Sequence, residues 1–212
     1  MEMVKEKKLK TIEQTIYIKD NALPLKTCEK IIKAFEEMKR IGRTGNGETQ
    51  GGVQNTIKTT NDMNLFYQDN DYLHDLGNEC CDIANKEINN FLGQYGQRKE
   101  WDYKEMWYNG SGYDYMNVQK YDKGIGHYHG WHTEQNYRED TAQRLFTVMF
   151  YLNDIEEGGE TVFPLSDISI KPKAGTFVCF PCGWPHVHYG DTPVSDDKYI
   201  VTGWLEANWG RV

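Results

Sequence analysis

The fold is written most legibly in residues 145–205, LFTVMFYLNDIEEGGETVFPLSDISIKPKAGTFVCFPCGWPHVHYGDTPVSDDKYIVTGWL. Short runs rich in β-branched and aromatic residues alternate here with clusters of Gly, Pro, Asn and Asp. Strands are expected at Leu145–Leu152, Glu160–Phe163, Ile168–Ile170, Thr176–Phe180, Val187–Tyr189 and Lys198–Leu205. The breaks fall at Asn153–Gly159, Lys171–Gly175, Pro181–Pro185 and Gly190–Asp197. No helical pattern of 10–15 residues separates successive strands, so a parallel βαβ sheet is not expected. Just upstream, Tyr113–Tyr121 reads as one more strand and Asp122–Gly126 as its turn.

Further upstream the period changes. Residues 25–40 place Leu25, Cys28, Ile31, Ile32, Phe35 and Met38 three and four apart, and residues 71–92 do the same with Leu73, Leu76, Cys80, Ala84, Ile88 and Phe91. Each is an apolar stripe on a helix, with a core-facing role. His74 lies within the second stripe's helix and is read as structural. Residues 42–60 are rich in Gly, Thr and Asn and read as loop or irregular strand, a flexible cover beside a binding site. The expected fold is therefore mainly β with flanking helices (α+β). Residues 1–212 form a single domain, with 1–99 as helical support and Gly-rich loop and 100–212 as a sandwich or jelly-roll core.

The charge balance narrows function. Lys and Arg total 24 against 32 Asp and Glu, a net charge of −8. That disfavours non-specific binding of nucleic acid, which needs clustered cations. The dense basic stretch Lys5–Lys10 is interrupted by Glu6 and reads as a solvated arm. No apolar run approaches the ~18 residues of a membrane span, and the N-terminus has no apolar signal core. Five cysteines, an odd number, suggest reduced thiols and a cytoplasmic setting. The pair Cys179 and Cys182 is a lone C-x-x-C, a weak signal for metal or redox work.

Five of the six histidines fall between residues 127 and 188. The sharpest constellation begins at His132-Thr133-Glu134. In extended chain, residues two apart share a face, so an imidazole and a carboxylate converge. The WPHVHYG segment supplies a third ligand, His188, with His186 competing for the role. Two histidines and one carboxylate leave a face of an octahedral metal open and favour non-haem Fe(II). His127 and His129 are expected to line or edge the pocket without ligating. Lys198 follows His188 by ten residues, across a turn-like stretch that can return it to a neighbouring strand. A lysine beside a metal implies an anion between them, and a small dicarboxylate answers that need.

These residues, taken in order, resemble the 2-oxoglutarate- and Fe(II)-dependent dioxygenases of the prolyl 4-hydroxylase-like family. The resemblance runs from Tyr121 to Trp204. It comprises Tyr121-Asp122-Lys123-Gly124 ahead of His132, Arg144 ahead of Tyr151-Leu152-Asn153, and Gly158-Gly159-Glu160-Thr161-Val162-Phe163. It continues with Pro172-Lys173-Ala174-Gly175, His188 and Gly190, Pro193-Val194, Lys198, and Trp204 six residues later. It implies a double-stranded β-helix with Fe(II) held by His132, Glu134 and His188, because only His188 has the lysine at the right offset. It implies 2-oxoglutarate as co-substrate, with Lys198 on the distal carboxylate and Tyr121 and Thr161 as hydrogen-bond partners. Arg144 and Trp204 lie where related enzymes place substrate-contacting side chains. The implied reaction hydroxylates an unactivated C–H bond with O2, with ascorbate as reductant. The implied substrate is a prolyl residue of a peptide or protein; a free amino acid, another side chain, or a non-catalytic metal-binding role are the alternatives. Two departures stand out. Glu134 occupies a position that is usually Asp, and two extra residues separate Gly124 from His132.

Overall fold

The structure is a computed structural model and describes residues 12–49, 51–66, 69–94, 111–113, 115–135 and 139–207. The basic arm Lys5–Lys10 lies outside the described residues. A 3-10 turn at Ile12–Thr15 leads into β1 (Tyr17–Lys19) and α1 (Leu25–Arg40). Then come β2 (Gly45–Asn46), β3 (Lys58–Thr59), β4 (Asn61–Asn64) and α2 (Asp71–Gly93). The remainder holds β5 (Ser111–Gly112), β6 (Met116–Tyr121), β7 (His127–His132), the short α3 (Glu139–Ala142) and β8 (Arg144–Tyr151). It ends with β9 (Thr161–Phe163), β10 (Ile168–Ile170), β11 (Phe177–Pro181), β12 (His188–Gly190) and β13 (Lys198–Ala207).

Both helices fall where the apolar period places them. Asn70 caps α2 by accepting the Leu73 amide at 3.3 Å. At the end of α1, Gly42 adopts φ +72°, while the Arg43 amide donates to the Met38 carbonyl and the Gly42 amide to that of Lys39. This paired return of bonds closes the helix and requires the left-handed residue that glycine supplies. No helix among the described residues is long and apolar enough to cross a membrane.

The described strands form two antiparallel sheets. The larger runs β1-β11-β8-β13-β6-β4-β2, with β5 also on β13, and the smaller runs β10-β9-β12-β7-β3. Alternation on the large sheet separates two cores. Val148, Phe150, Phe177, Cys179 and Val201 meet Ile31, Phe35, Cys80 and Ile88 of the helices. Tyr151, Met149, Val178, Phe180 and Ile200 point the other way and meet Phe163 and Ile170 of the small sheet. The helices therefore stiffen one face of the sheet while the opposite face builds the interior of a double-stranded β-helix.

The N-terminal region contributes more than support. Strand β4 pairs with β6 through Asp62↔Gln119 and Asn64↔Asn117, and β3 pairs with β7 through Lys58↔Tyr128. The Gly-rich stretch thus holds strands in both sheets. All five cysteines are free, so Cys179 and Cys182 form no disulfide.

Candidate metal and co-substrate site

The central pairing of the small sheet sets His132 of β7 directly against His188 of β12. Their rings lie 4.3 Å apart between centroids. Strand β7 ends at His132, and the chain continues as a bend whose Glu134 and Gln135 amides both donate to the Cys182 carbonyl at 3.1 Å. That anchor, rather than continued strand alternation, brings the carboxylate back. Glu134 Oε1 stands 3.6 Å from His132 Nε2 and 3.4 Å from His188 Nε2. Among the described residues, His132, Glu134 and His188 are the group whose ligand atoms all lie within 4.8 Å of one another.

The tautomers are fixed from behind. The Nδ1–H of His132 donates to the Gly130 carbonyl at 2.7 Å, and that of His188 to the His186 carbonyl at 3.0 Å. A carbonyl can only accept, so each ring carries a proton on Nδ1 and turns Nε2 toward the cavity, where its loss of any second proton would free a lone pair. Burial lowers the pKa of His132, and the neighbouring His188 lowers it further. Burial alone would raise the Glu134 carboxyl, but its contacts with the two imidazoles hold it well below the usual range. Two neutral imidazoles and one carboxylate is the protonation state a metal requires. Neighbouring ligand atoms around a six-coordinate ion with bonds of about 2.1 Å lie about 3 Å apart. The two carboxylate–imidazole separations need only a small contraction, and two imidazole nitrogens with one carboxylate fit a facially bound divalent ion.

Lys198 opens β13 on the facing sheet, with Tyr121 as its register partner. It is 1% exposed, and its Nζ donates to the Gly159 carbonyl at 2.6 Å. The ammonium lies 4.8 Å from the Tyr121 ring centroid and 5.6 Å from that of Tyr151. Burial drops its pKa from 10.5 to about 7, against the pull of Glu160 and Asp191. The Tyr121 hydroxyl donates to Gln119 Oε1 at 3.0 Å. The Tyr151 hydroxyl donates to Thr161 Oγ1 at 2.8 Å and ties the two sheets together.

Lys198, Tyr121, Thr161, His132, Glu134 and His188 all line one cavity of about 890 Å³. Arg144 and Trp204 line it too, with the guanidinium 3.7 Å from the centroid of the indole ring. Part of the Gly-rich segment forms a wall, including Glu48, Ile57 and Lys58. Lys58 is buried and paired with Asp62 at 2.9 Å.

One expectation is corrected, one alternative is resolved and one residue is added. His127 and His129 do not line the cavity: alternation on β7 turns Tyr128, Gly130 and His132 inward and those two outward. There they stack on each other at 4.2 Å, and His129 meets Thr192 Oγ1 at 3.2 Å. His186, the competing third ligand, lies before β12, which begins at His188, and its Nε2 meets Thr15 Oγ1 at 2.6 Å rather than the other two groups. Tyr128, absent from the sequence-based set, stacks on His132 at 3.8 Å and lines the cavity. Counting back by twos from His132 would have found it.

Residues 116–206 match the family model described as the 2OG-Fe(II) oxygenase superfamily. That segment is similar to the 2OG-Fe(II) oxygenases. The chain is 33% identical over 120 residues to "Probable prolyl 4-hydroxylase 10" of Arabidopsis thaliana, covering 44% of this chain and 40% of that protein. It is 35% identical over 72 residues to prolyl 4-hydroxylase subunit alpha-1 of Gallus gallus, covering 31% of this chain and 14% of that one. The match thus spans well under half of these curated relatives. Solved structures agree in fold. The viral collagen prolyl hydroxylase of Paramecium Bursaria Chlorella virus-1, in its 2OG complex, superposes with a TM-score of 0.62 at 21% identity, covering 91% of this chain and 96% of that one. A Pseudomonas putida prolyl-4-hydroxylase gives 0.63 at 17% identity, covering 91% and 92%. The expected double-stranded β-helix is the fold observed.

Proposed function

We propose that this chain is an Fe(II)- and 2-oxoglutarate-dependent dioxygenase that hydroxylates a prolyl residue of a peptide or protein. The observation that carries the reading is one cavity holding both halves of the required chemistry. A facial group of two Nε2 atoms and one carboxylate stands on the small sheet, and a buried lysine with no carboxylate partner among its short contacts stands on the large one. When bound, iron supplies the activation of O2 and the C–H cleavage. The balance is 2-oxoglutarate plus O2 plus R–H giving succinate, carbon dioxide and R–OH. One oxygen atom enters succinate and the other the new hydroxyl.

The chain's own residues bind, orient and shield. His132, Glu134 and His188 would hold the metal, and three protein donors would leave positions for the co-substrate and O2. Lys198 fixes the far carboxylate of 2-oxoglutarate, with the Tyr121 and Thr161 hydroxyls beside it as hydrogen-bonding partners. The apolar interior around Phe163, Phe180 and Ile200 closes that end of the cavity to water. Arg144 and Trp204 line the substrate side. Prolyl specificity is supported by the names of the curated relatives and by the peptide-bound Trichoplax adhaerens prolyl hydroxylase, which superposes with a TM-score of 0.66 at 15% identity, covering 91% of this chain and 84% of that one. Ascorbate is the proposed reductant for uncoupled turnover. Five unpaired cysteines suit a reducing compartment, and the cytoplasm is the proposed setting.

The test is anaerobic addition of Fe(II) and then 2-oxoglutarate, watching for the visible charge-transfer band. Admission of O2 with proline-containing peptides follows, with succinate and one added oxygen atom on the peptide as readouts. No succinate from iron-loaded protein would end the oxygenase reading. Succinate without peptide oxidation would end the prolyl assignment alone.

A further inference from the structure

Glu134 carries its carboxylate one C–C bond further than an aspartate would, about 1.5 Å. The structure shows what meets that extra reach. Oε1 faces the two imidazoles at 3.4 and 3.6 Å. Oε2 faces Arg144 Nη1 at 3.5 Å, and the same Nη1 donates to the Glu134 backbone carbonyl at 3.1 Å. One guanidinium therefore grips the backbone and the side chain of a single residue. Arg144 is itself held by the Trp204 ring at 3.7 Å and by Glu206 Oε1, 3.5 Å from its Nε. All three partners are mostly buried, Arg144 at 16%, Glu134 at 14% and Glu206 at 11% side-chain exposure.

We infer that Arg144, seated on Trp204 and Glu206, is a positioning residue that captures Oε2 of Glu134 so that the glutamate ligates through Oε1 alone. This rests on the reading of His132, Glu134 and His188 as metal ligands. The physical argument is a choice between two modes. A glutamate with both oxygens free can swing to chelate the ion with two atoms, occupying a position the co-substrate or O2 needs. A charged, planar donor on Oε2 removes that option. Arg144 in this chain thereby makes a longer carboxylate work where a shorter one would not reach the guanidinium.

The test uses the full chain and Co(II), titrated anaerobically, with affinity and the visible d–d spectrum as readouts. Arg144→Met is expected to tighten Co(II) binding about tenfold, because a second carboxylate oxygen joins the ion and a positive charge beside the site is gone. Its spectrum should lose intensity, as a higher coordination number requires. Arg144→Lys, which keeps the charge but has no fork to hold carbonyl and carboxylate together, should fall between. The same substitutions in a Glu134→Asp background should change affinity less than about threefold, because the shorter carboxylate does not reach residue 144. Melting of the metal-free proteins checks folding, and if Arg144→Met does not fold, the Arg144→Lys comparison in both backgrounds decides. Equal changes in both backgrounds, none in either, or looser binding in Arg144→Met alone would overturn the inference while leaving the ligand assignment intact. A wild-type protein that binds no Co(II) would overturn both.

Discussion

Lys198 offers the sharpest quantitative prediction, because its site is hostile to its own charge. In the ligand-free cavity, burial brings the amine down to about 7. A carboxylate arriving beside it favours the ammonium and raises that value, so 2-oxoglutarate binding takes up a proton. The sign follows: affinity is full below about pH 7 and falls as pH rises through it. The protonated fraction is ~0.76 at pH 6.5 and ~0.03 at pH 8.5, so affinity should drop by about 25-fold, or about 1.9 kcal/mol. The assay titrates 2-oxoglutarate into Fe(II)-saturated protein without O2 and follows the charge-transfer band across that pH range. Two controls isolate the group. 2-Oxovalerate lacks the distal carboxylate and should show no such slope. Lys198→Arg stays charged throughout, so whatever affinity it keeps should also be flat. A wild-type affinity constant from pH 6.5 to 8.5 would refute the argument, as would an equal slope for 2-oxovalerate.

Other outcomes follow from the same geometry. Lys198→Met removes a buried ammonium held mainly by one carbonyl, so the metal-free protein should melt at a higher temperature while its 2-oxoglutarate response is lost. His188→Ala should abolish Fe(II) binding with the fold retained, read by metal analysis beside circular dichroism. Wild-type protein with metal at a hundred times Kd should gain about 2.7 kcal/mol against unfolding, a gain that a chelator reverses and His188→Ala never shows. A Cβ at Gly126 would lie 2.5 Å from backbone atoms of Tyr121 and Asp122. Gly126→Ala should therefore cost about 1–3 kcal/mol and weaken 2-oxoglutarate binding through Tyr121, measurable by denaturant melts and the same band.

The helices were legible because their apolar faces have a single task, and α1 spans the residues its period indicated, Leu25–Arg40. Strands β8, β11 and β13 were legible because both faces of the large sheet are buried there, one on the helices and one on the small sheet, so their runs are mostly apolar. Strand β7 escaped notice for the opposite reason. Its residues that alternate inward are Tyr128, Gly130 and His132, and between the last two stands Trp131, 65% exposed although it borders the cavity, so no apolar alternation marks it. Strand β4 reads Asn-Asp-Met-Asn because Asp62 and Asn64 face the cavity while Met63 faces the helices. Strands that line a polar cavity lose the pattern that reveals strands. The grouping of His132, Glu134 and His188 was legible from residue type and order, although strand alternation is only half of its physics. Alternation accounts for His132, whereas the Cys182 carbonyl accounts for Glu134.

The division of the site between two sheets has a consequence of its own. The three proposed ligands belong to the small sheet and its following bend, while Lys198 and Tyr121 belong to the large sheet that the helices brace. Direct polar ties across the interior include the Tyr151–Thr161 bond, the Lys198 bond to Gly159 and the grip of Arg144 on Glu134. A dicarboxylate chelating a metal at one end and pairing with Lys198 at the other would add a further strut between the same two layers. Co-substrate binding should therefore stabilise the protein beyond what metal alone contributes, because it joins elements that the metal by itself does not touch. 2-Oxovalerate, able to chelate but not to reach Lys198 with a charge, separates the two contributions. It should raise the melting temperature of the metal-loaded protein less than 2-oxoglutarate does when each is present at the same multiple of its Kd. Equal increments from the two would mean that the strut adds nothing beyond mass action, and that the sheets are already locked by their own contacts.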